Sequence, residues 1–406
     1  MPQPDQAEHP LRVTFVMKRP GMEGGVRVAA IYAEALARAG HEVHVVCTRK
    51  AVRGRRARLT HLLKTGSLNP VTAPIPSHLD PLPTLNGLPG KPITVTHLPT
   101  AGPITEQHLP DADVVVATWW ETAEWVAALP SRKGQPLYLI QHDERVFPGQ
   151  ESQDRQERIA ATWRAIPNRV VVAQWLADLL DQHGASPNHV IENAVNQDRF
   201  HAPPRDKQDR PTVGFMYSPV GFKGVDRIKA ALELAAPRVP NLLVRAFGHG
   251  DPKLEGPGLP HGVDAEYAQD PDRDTLRAFY ASCDAWLFAS RCEGFGLPLL
   301  EAMACRTPVI ATPAGAAPQL IDERVGRLLP DATTPAEETA LIHAMADAIV
   351  DLTAQSPENW QATSENAYAV ARQHRWDRAA ERFEAVVRQA GGQTDADDRP
   401  RAKPAA

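Results

Sequence analysis

Short apolar runs rich in β-branched residues alternate along this chain with segments of helical periodicity, and that alternation leaves few folds open. LRVTFVM is followed by GGVRVAAIYAEALARAG and then by HEVHVVCTR, the strand, helix, strand order of a parallel-sheet unit. The pattern continues through ADVVVAT, ETAEWVAAL, PLYLIQH, a helical stretch over 153–165, NRVVVAQ, WLADLLDQHG and HVIENAV. After HAPPRDKQDRP, charged and Pro-rich like a linker, it restarts as TVGFMYS, KGVDRIKAALELAA, LLVRAFG, DTLRAFYASC, DAWLFAS, LPLLEAMAC and TPVIATP. Two successive α/β halves of similar size are the simplest account. Residues 66–110 resist it, because ten prolines surround a single strand-like run, ITVTHL. A loop of that length inside a compact domain is functional or disordered.

The chain is 406 residues long, enough for two domains, with 43% hydrophobic and 23% charged residues. Its 44 basic and 49 acidic residues leave a net charge of −5, which gives no global attraction to nucleic acid or to an anionic membrane. Four cysteines are scattered without CxxC spacing, so neither a zinc site nor a disulfide framework is expected. No leader-like or membrane-spanning segment is evident, and the expected location is cytoplasmic. Residues 1–10 and 391–406 are polar and aperiodic, and disorder is expected at both ends.

Three glycine-bearing turns invite an anion. Gly24 and Gly25 follow the first strand and open a helix, where backbone N–H groups and the helix dipole favour negative charge. The segment lacks a GxGxxG fingerprint, and the chain contains no GxxxxGK[ST], which disfavours a nicotinamide dehydrogenase and a P-loop nucleotidase. A tight turn without a ligand is the competing account. Lys223-Gly224 opens a helix after the strand ending at Tyr217, placing a cation where a phosphate could be neutralised; a solvated helix-start lysine competes with that reading. Gly248 and Gly250 sit at the carboxyl end of a strand, the edge at which open α/β sheets bind ligands.

Residues 291–315 read RCEGFGLPLLEAMACRTPVIATPAG, with Glu293 and Glu301 separated by seven residues. The pattern predicts a strand over 286–290 and a helix over 298–304 with Pro298 near its first position, so that Glu301 falls in the first turn and Glu293 in the preceding loop. Such an arrangement offers acceptors for sugar hydroxyls at two distances and N–H donors for an anion between them. The alternative is that Glu301 complements the helix dipole and Glu293 is solvated.

EGFGLPLLEAMACRTPVIAT closely resembles the E-x7-E signature of the family 4 retaining glycosyltransferases, whose usual form is EGFGLPxxEAMAxGxPVVAT. The resemblance extends to GGVRVAAIYAEALARAGHEVHVV, VIENAVNQDRF, FKGVD and HRWDRAAERF, and so covers most of the chain. It implies a GT-B fold: two Rossmann-like domains with parallel sheets facing a central cleft. The corresponding division is an acceptor domain over 11–195, a nucleotide-sugar donor domain over 196–372, and a helix over 373–390 that crosses back to the first domain. No metal or other cofactor is expected; the donor is a nucleoside-diphosphate sugar and the acceptor a glycan or lipid-linked hydroxyl.

By position, the resemblance places Glu293 on the transferred sugar, Glu301 on the ribose, and the amides of Phe295, Gly296 and Leu297 on sugar or diphosphate. Lys223 would neutralise the leaving diphosphate, Gly24 and Gly25 would face it from the first domain, and His142 would lie beside the donor sugar. Asp111-Ala112-Asp113 superficially offers the DxD metal motif of another glycosyltransferase fold, but reads better as strand-entry carboxylates, and DPDRD at 270–274 as a helix cap.

Several positions depart from the family pattern. Tyr217 stands where relatives commonly carry arginine, leaving Arg227 or Arg291 as substitutes; NGVD has become Asn193-Ala194-Val195-Asn196; and Gln319 lies where a glutamate is familiar. These changes bear on donor identity. Tyr217 and Gln319 also favour a competing reading as a nucleotide-sugar-binding protein without turnover, and a GT-B sugar-nucleotide epimerase is a further alternative. Between Arg49 and Lys64 seven basic residues occur without an acid, a candidate contact to a phosphate-bearing acceptor or the inner face of a membrane, if not simply a solvated loop.

Overall fold

Among the described residues, six parallel strands in the carboxyl-terminal part of the chain, and seven in the amino-terminal part, hydrogen-bond into two separate sheets. The structure is a computed structural model that describes residues 9–18, 24–48, 92–99 and 102–392. The first sheet is built from β1 (Arg12–Met17), β2 (Glu42–Cys47), β3 (Thr94–His97), β4 (Val114–Ala117), β5 (Gln135–Ile140), β6 (Asn168–Val171) and β7 (His189–Val190). Its helices are α1 (Gly24–Arg38), α2 (Trp120–Ala127), α3 (Gln153–Ala165) and α4 (Gln174–Gln182). In the second, β8 (Thr212–Tyr217), β9 (Leu243–Gly248), β10 (Asp264–Gln269), β11 (Ala285–Phe288), β12 (Val309–Ala311) and β13 (Gly326–Leu328) alternate with α5 (Val225–Ala235), α6 (Arg273–Ala281), α7 (Leu297–Ala304) and α8 (Ala317–Leu320). Three longer helices follow, α9 (Pro335–Ala354), α10 (Pro357–Ala371) and α11 (Trp376–Gly391).

The strand order is β3-β2-β1-β4-β5-β6-β7 in one sheet and β10-β9-β8-β11-β12-β13 in the other. Both follow the doubly wound order, with the winding direction reversing between β1 and β4 and between β8 and β11. Covered by helices on both faces, such strands are apolar throughout rather than alternating. β4 and β11 are accordingly buried at every position. The edge strand β10, DAEYAQ, is largely exposed and has no apolar signature, which hid it from sequence reasoning.

The described residues form two compact units. One draws on the described residues within Met1–Val172, Ala177–Ile191 and Ala380–Ala406, and the other on Ala173–Leu176 and Glu192–Ala379. Helix α11 thus starts in the second unit and continues in the first, where Phe383 is fully buried and stacks on Tyr32 at 4.2 Å between ring centroids. The changeover at Ile191–Glu192 precedes the Pro-rich 201–211 stretch, which is not a free linker. Arg205 donates to the Cys283 carbonyl at 2.6 Å, Lys207 to that of Gln355 at 3.1 Å, and the Gln208 amide to Asp284 at 2.8 Å. Its charges are used against strand and helix ends, a role composition alone does not distinguish from solvation. The expected disorder at the termini concerns residues that lie mostly outside the described set, as does most of 66–110, although ITVTHL does supply β3.

Replacing Phe383 by alanine removes a fully buried ring and is expected to destabilise the first unit by about 3–5 kcal/mol. Urea denaturation followed by intrinsic fluorescence reads the shift in midpoint.

Candidate functional site

β8 and β11 are hydrogen-bonded neighbours, with Val213 opposite Ala285 and Phe215 opposite Leu287. The segments leaving their carboxyl ends therefore emerge side by side, at the position where doubly wound sheets bind ligands. After β8 the chain makes a short turn, Gly221–Lys223, and enters α5 through Gly224. Gly224 has φ +67°, and a Cβ there would stand 1.9 Å from the Ala289 carbonyl oxygen. Only glycine lets the turn lie directly on the end of β11.

That close approach brings the two chemically distinctive side chains together. Lys223 Nζ lies 2.7 Å from Glu293 Oε1, and the Ser290 hydroxyl donates to the same oxygen at 2.8 Å. The Glu293 side chain is 9% exposed and that of Lys223 24%, so the pair sits at a boundary between core and solvent. Charge-assisted hydrogen bonds of this kind hold a carboxylate in one orientation. Ser290 is itself held by Thr312, whose hydroxyl donates to the Ser290 carbonyl at 2.6 Å. On the far side Gly315, at φ +64°, leaves no room for a Cβ, which would meet the Phe295 carbonyl oxygen at 2.6 Å and Glu293 Cβ at 3.0 Å.

Helix α7 begins at Leu297, with Gly296 as its N-cap at φ +100° and Pro298 in the first positions. Glu301 consequently lies in the second turn, and no acid occupies the first. This corrects the expectation of a first-turn glutamate and weakens the helix-dipole account of Glu301, since that effect fades beyond the end turn. Glu301 is buried and accepts from the Tyr280 hydroxyl at 2.9 Å. Phe295, Gly296 and Leu297 lead into the helix, where the first amides have no intrahelical acceptor. Between the two glutamates, the Gly294 carbonyl accepts from Trp175 Nε1 at 2.8 Å. Two buried carboxylates thus flank the entry to α7, one of them paired with a lysine.

At the end of β8, Tyr217 is buried and its hydroxyl donates to the Glu255 carbonyl and accepts from the Gly258 amide at 3.3 Å. The neighbouring strand explains Gly248, because a Cβ there would lie 2.2 Å from the Tyr217 carbonyl oxygen. The two arginines considered as replacements for a cation at 217 point at acids. Arg227 pairs with Glu338, and Arg291 with Asp226 at 2.6 Å and with Glu338 at 2.7 Å. Hydrogen bonding to Arg291 holds the Asp226 carboxyl below the usual range, and Arg227 does the same to Glu338. Gln319 is exposed on α8.

Gly24, Gly25 and His142 belong to the first unit. Gln141, just past β5, donates from its amide nitrogen to the Gly25 carbonyl at 2.9 Å, tying the start of α1 to the end of β5. A Cβ on Gly25 would make only an ordinary 3.4 Å contact with Gln141, so packing does not demand the glycine. His142 Nδ1 lies 3.0 Å from the Asp143 carbonyl oxygen, and its ring packs edge-on to Phe147. Beneath this turn Glu144 is buried, accepting from the Trp120 amide at 2.6 Å and the Tyr138 hydroxyl at 2.9 Å.

Asp113 pairs with Arg12 and Asp111 with Lys133, as strand-entry carboxylates do. Asp272 caps α6 by accepting from the Thr275 amide at 2.8 Å. The basic segment at 49–64 lies outside the described residues. Ser290, Tyr280, Trp175 and Gly315 were not anticipated. Only Gly315 carried a signal, since PAG directly follows a strand.

Two family models match in tandem: residues 22–199 fit Glycosyltransferase Family 4, and residues 210–354 fit Glycosyl transferases group 1. The D-inositol 3-phosphate glycosyltransferase 1 of Catenulispora acidiphila is 27% identical over 322 residues, spanning 69% of this chain and 73% of that one. Among solved structures, sucrose-phosphate synthase from Thermosynechococcus elongatus has a TM-score of 0.66 at 17% identity, over 93% of this chain and 98% of that one. Anabaena HepE in complex with UDP and glucose gives 0.64 at 16% identity, over 93% and 100%. These structural likenesses establish the GT-B architecture.

The environment of Glu144 has a measurable consequence. Burial, with smaller contributions from Asp143 and Glu121, raises its carboxyl from the ordinary 4.5 to about 8, against the opposing hydrogen bonds from Tyr138 and Trp120. The folded state thus holds the proton more tightly than the unfolded state, and this group costs nothing below 4.5, then erodes stability as pH rises toward 8. Glu144→Gln keeps an oxygen for both donors and removes the titration. Its urea midpoint is expected to fall less than that of the wild type between those two pH values, the gap being widest at the alkaline end.

Proposed function

Because this chain belongs to the family 4 glycosyltransferases, we propose that it moves a sugar from a nucleoside diphosphate to an acceptor hydroxyl with retention at the anomeric carbon. The observation that carries this reading is the meeting of Lys223 and Glu293 beside the amino-terminal end of α7, at the strand-order reversal of the second sheet. Lys223 is the cation for the departing diphosphate. Glu293 accepts hydroxyl hydrogen bonds from the transferred sugar, and Glu301 from the ribose. Phe295, Gly296 and Leu297 contribute backbone amides toward the diphosphate.

Preorganised positive charge at a leaving group is commonly the largest catalytic term, because it needs no rearrangement when the bond breaks. A lysine and a helix N-terminus supply it here without a divalent cation, and the proposed reaction is metal-independent. The Lys223 ammonium is matched by Glu293, so an arriving diphosphate competes for it. The acceptor in this reading is a glycan or lipid-linked hydroxyl, whereas the Catenulispora relative is named for D-inositol 3-phosphate. A cytoplasmic location, with peripheral membrane contact through residues 49–64, fits an enzyme drawing on cytosolic sugar nucleotides; among the described residues no helix is long and apolar enough to cross a membrane. A donor-binding protein without turnover is the second reading, favoured by Tyr217, whose hydroxyl serves the 255–258 loop and brings no positive charge.

Thermal unfolding with UDP-, GDP-, dTDP- and ADP-sugars in EDTA separates these readings. Stabilisation by one donor class, lost in Glu301→Ala, is the expected outcome, and no shift with any donor contradicts the proposal. With a donor in hand, Glu293→Ala is expected to lower transfer by about 10²-fold or more while the protein stays folded. Transfer by the wild type excludes the non-catalytic reading, and NMR of the product's anomeric proton tests retention.

A further inference from the structure

We propose that Arg291 is a positioning residue that holds Lys223 in place for the donor diphosphate, an inference that rests on the donor-site reading above. Arg291 joins the two segments that carry the site. Its backbone amide donates to the Phe222 carbonyl at 2.7 Å, and its Nη1 donates to the Gly221 carbonyl at 2.9 Å. Its guanidinium spans Asp226, at 2.9 and 2.6 Å, and reaches Glu338 at 2.7 Å. One side chain therefore grips the main chain of the Gly221–Lys223 turn, the first turn of α5 and the amino-terminal part of α9.

The turn also has bonds and packing of its own, with Gly224 set against the Ala289 carbonyl. Its internal bonds run from the Lys223 amide to Val220 and from the Gly224 amide to Gly221. Lys223 lies two residues beyond the Gly221 carbonyl that the Arg291 side chain grips and one beyond the Phe222 carbonyl held by its main chain, and Glu293 follows Arg291 by two. This cross-link lies immediately behind both the lysine and the glutamate. The planar fork of a guanidinium makes these bonds at once, which a lysine ammonium does not. Because its charge is directed at Asp226 and Glu338, Arg291 acts through Lys223 and is not itself a ligand of the diphosphate.

A double-mutant cycle decides the matter. Calorimetric titration of UDP, GDP, dTDP and ADP into the wild type identifies the nucleoside diphosphate to use, followed by Arg291→Ala, Arg291→Lys, Lys223→Ala and the Lys223→Ala/Arg291→Ala double variant. Arg291→Ala is expected to weaken binding about tenfold, the scale of one charge-assisted contact. Arg291→Lys should weaken it in the same direction, and Arg291→Ala should add nothing once Lys223 is gone. Wild-type affinity in both folded Arg291 variants, or effects of Arg291 and Lys223 that multiply, would overturn the inference while leaving the donor site intact. A wild type that binds none of the four overturns the donor-site reading and this inference with it, and does so before any substitution is made.

Discussion

The second unit is organised around one close approach: the main chain at Gly224 lies against the Ala289 carbonyl at the end of β11. Any side chain there would push the Gly221–Lys223 turn off the strand, and the contact between Lys223 and Glu293 would go with it. The two sit on segments 70 residues apart in the chain. Parallel pairing of β8 with β11 brings those segments to the same edge, and the glycine lets them touch.

Around that contact the polar groups are arranged in layers. Glu293 is fixed from behind by Ser290, Ser290 by Thr312, and the loop from the other side by Gly315. Arg291, Arg227, Asp226 and Glu338 form a charge-balanced set beneath the turn. Buried or half-buried charges persist only when paired and hydrogen-bonded, so these acids and bases leave one another little freedom. Lys223 differs in that its partner Glu293 is more buried than Asp226 or Glu338, while the lysine side chain itself is 24% exposed.

Much of the architecture was legible before any coordinates. Apolar β-branched runs announced most strands, since a strand covered on both faces cannot hide its composition, and the helix predicted over 153–165 is observed there as α3. What escaped did so for physical reasons. β10 is an edge strand with polar residues on both faces, and β7 is only two residues long. The 201–211 stretch has the composition of a linker, yet its charged side chains bind carbonyls of the second unit. Glu301 was displaced from the first turn of its helix because Leu297, ahead of Pro298, already has helical geometry.

For the site, sequence alone determined the cast: two glutamates at fixed spacing, a lysine before a glycine, and glycines and a proline at a helix start. These are local properties, because backbone conformation at glycine and proline and the start of a helix are dictated within a few residues. Which partners those side chains meet was decided only by the tertiary structure. Ser290 on Glu293, Tyr280 on Glu301, Trp175 on the Gly294 carbonyl, and acids rather than a ligand on Arg227 and Arg291 are contacts between distant segments. A hydrogen bond depends on sub-ångström placement, and that placement comes from strand order and packing, which no short stretch of sequence carries.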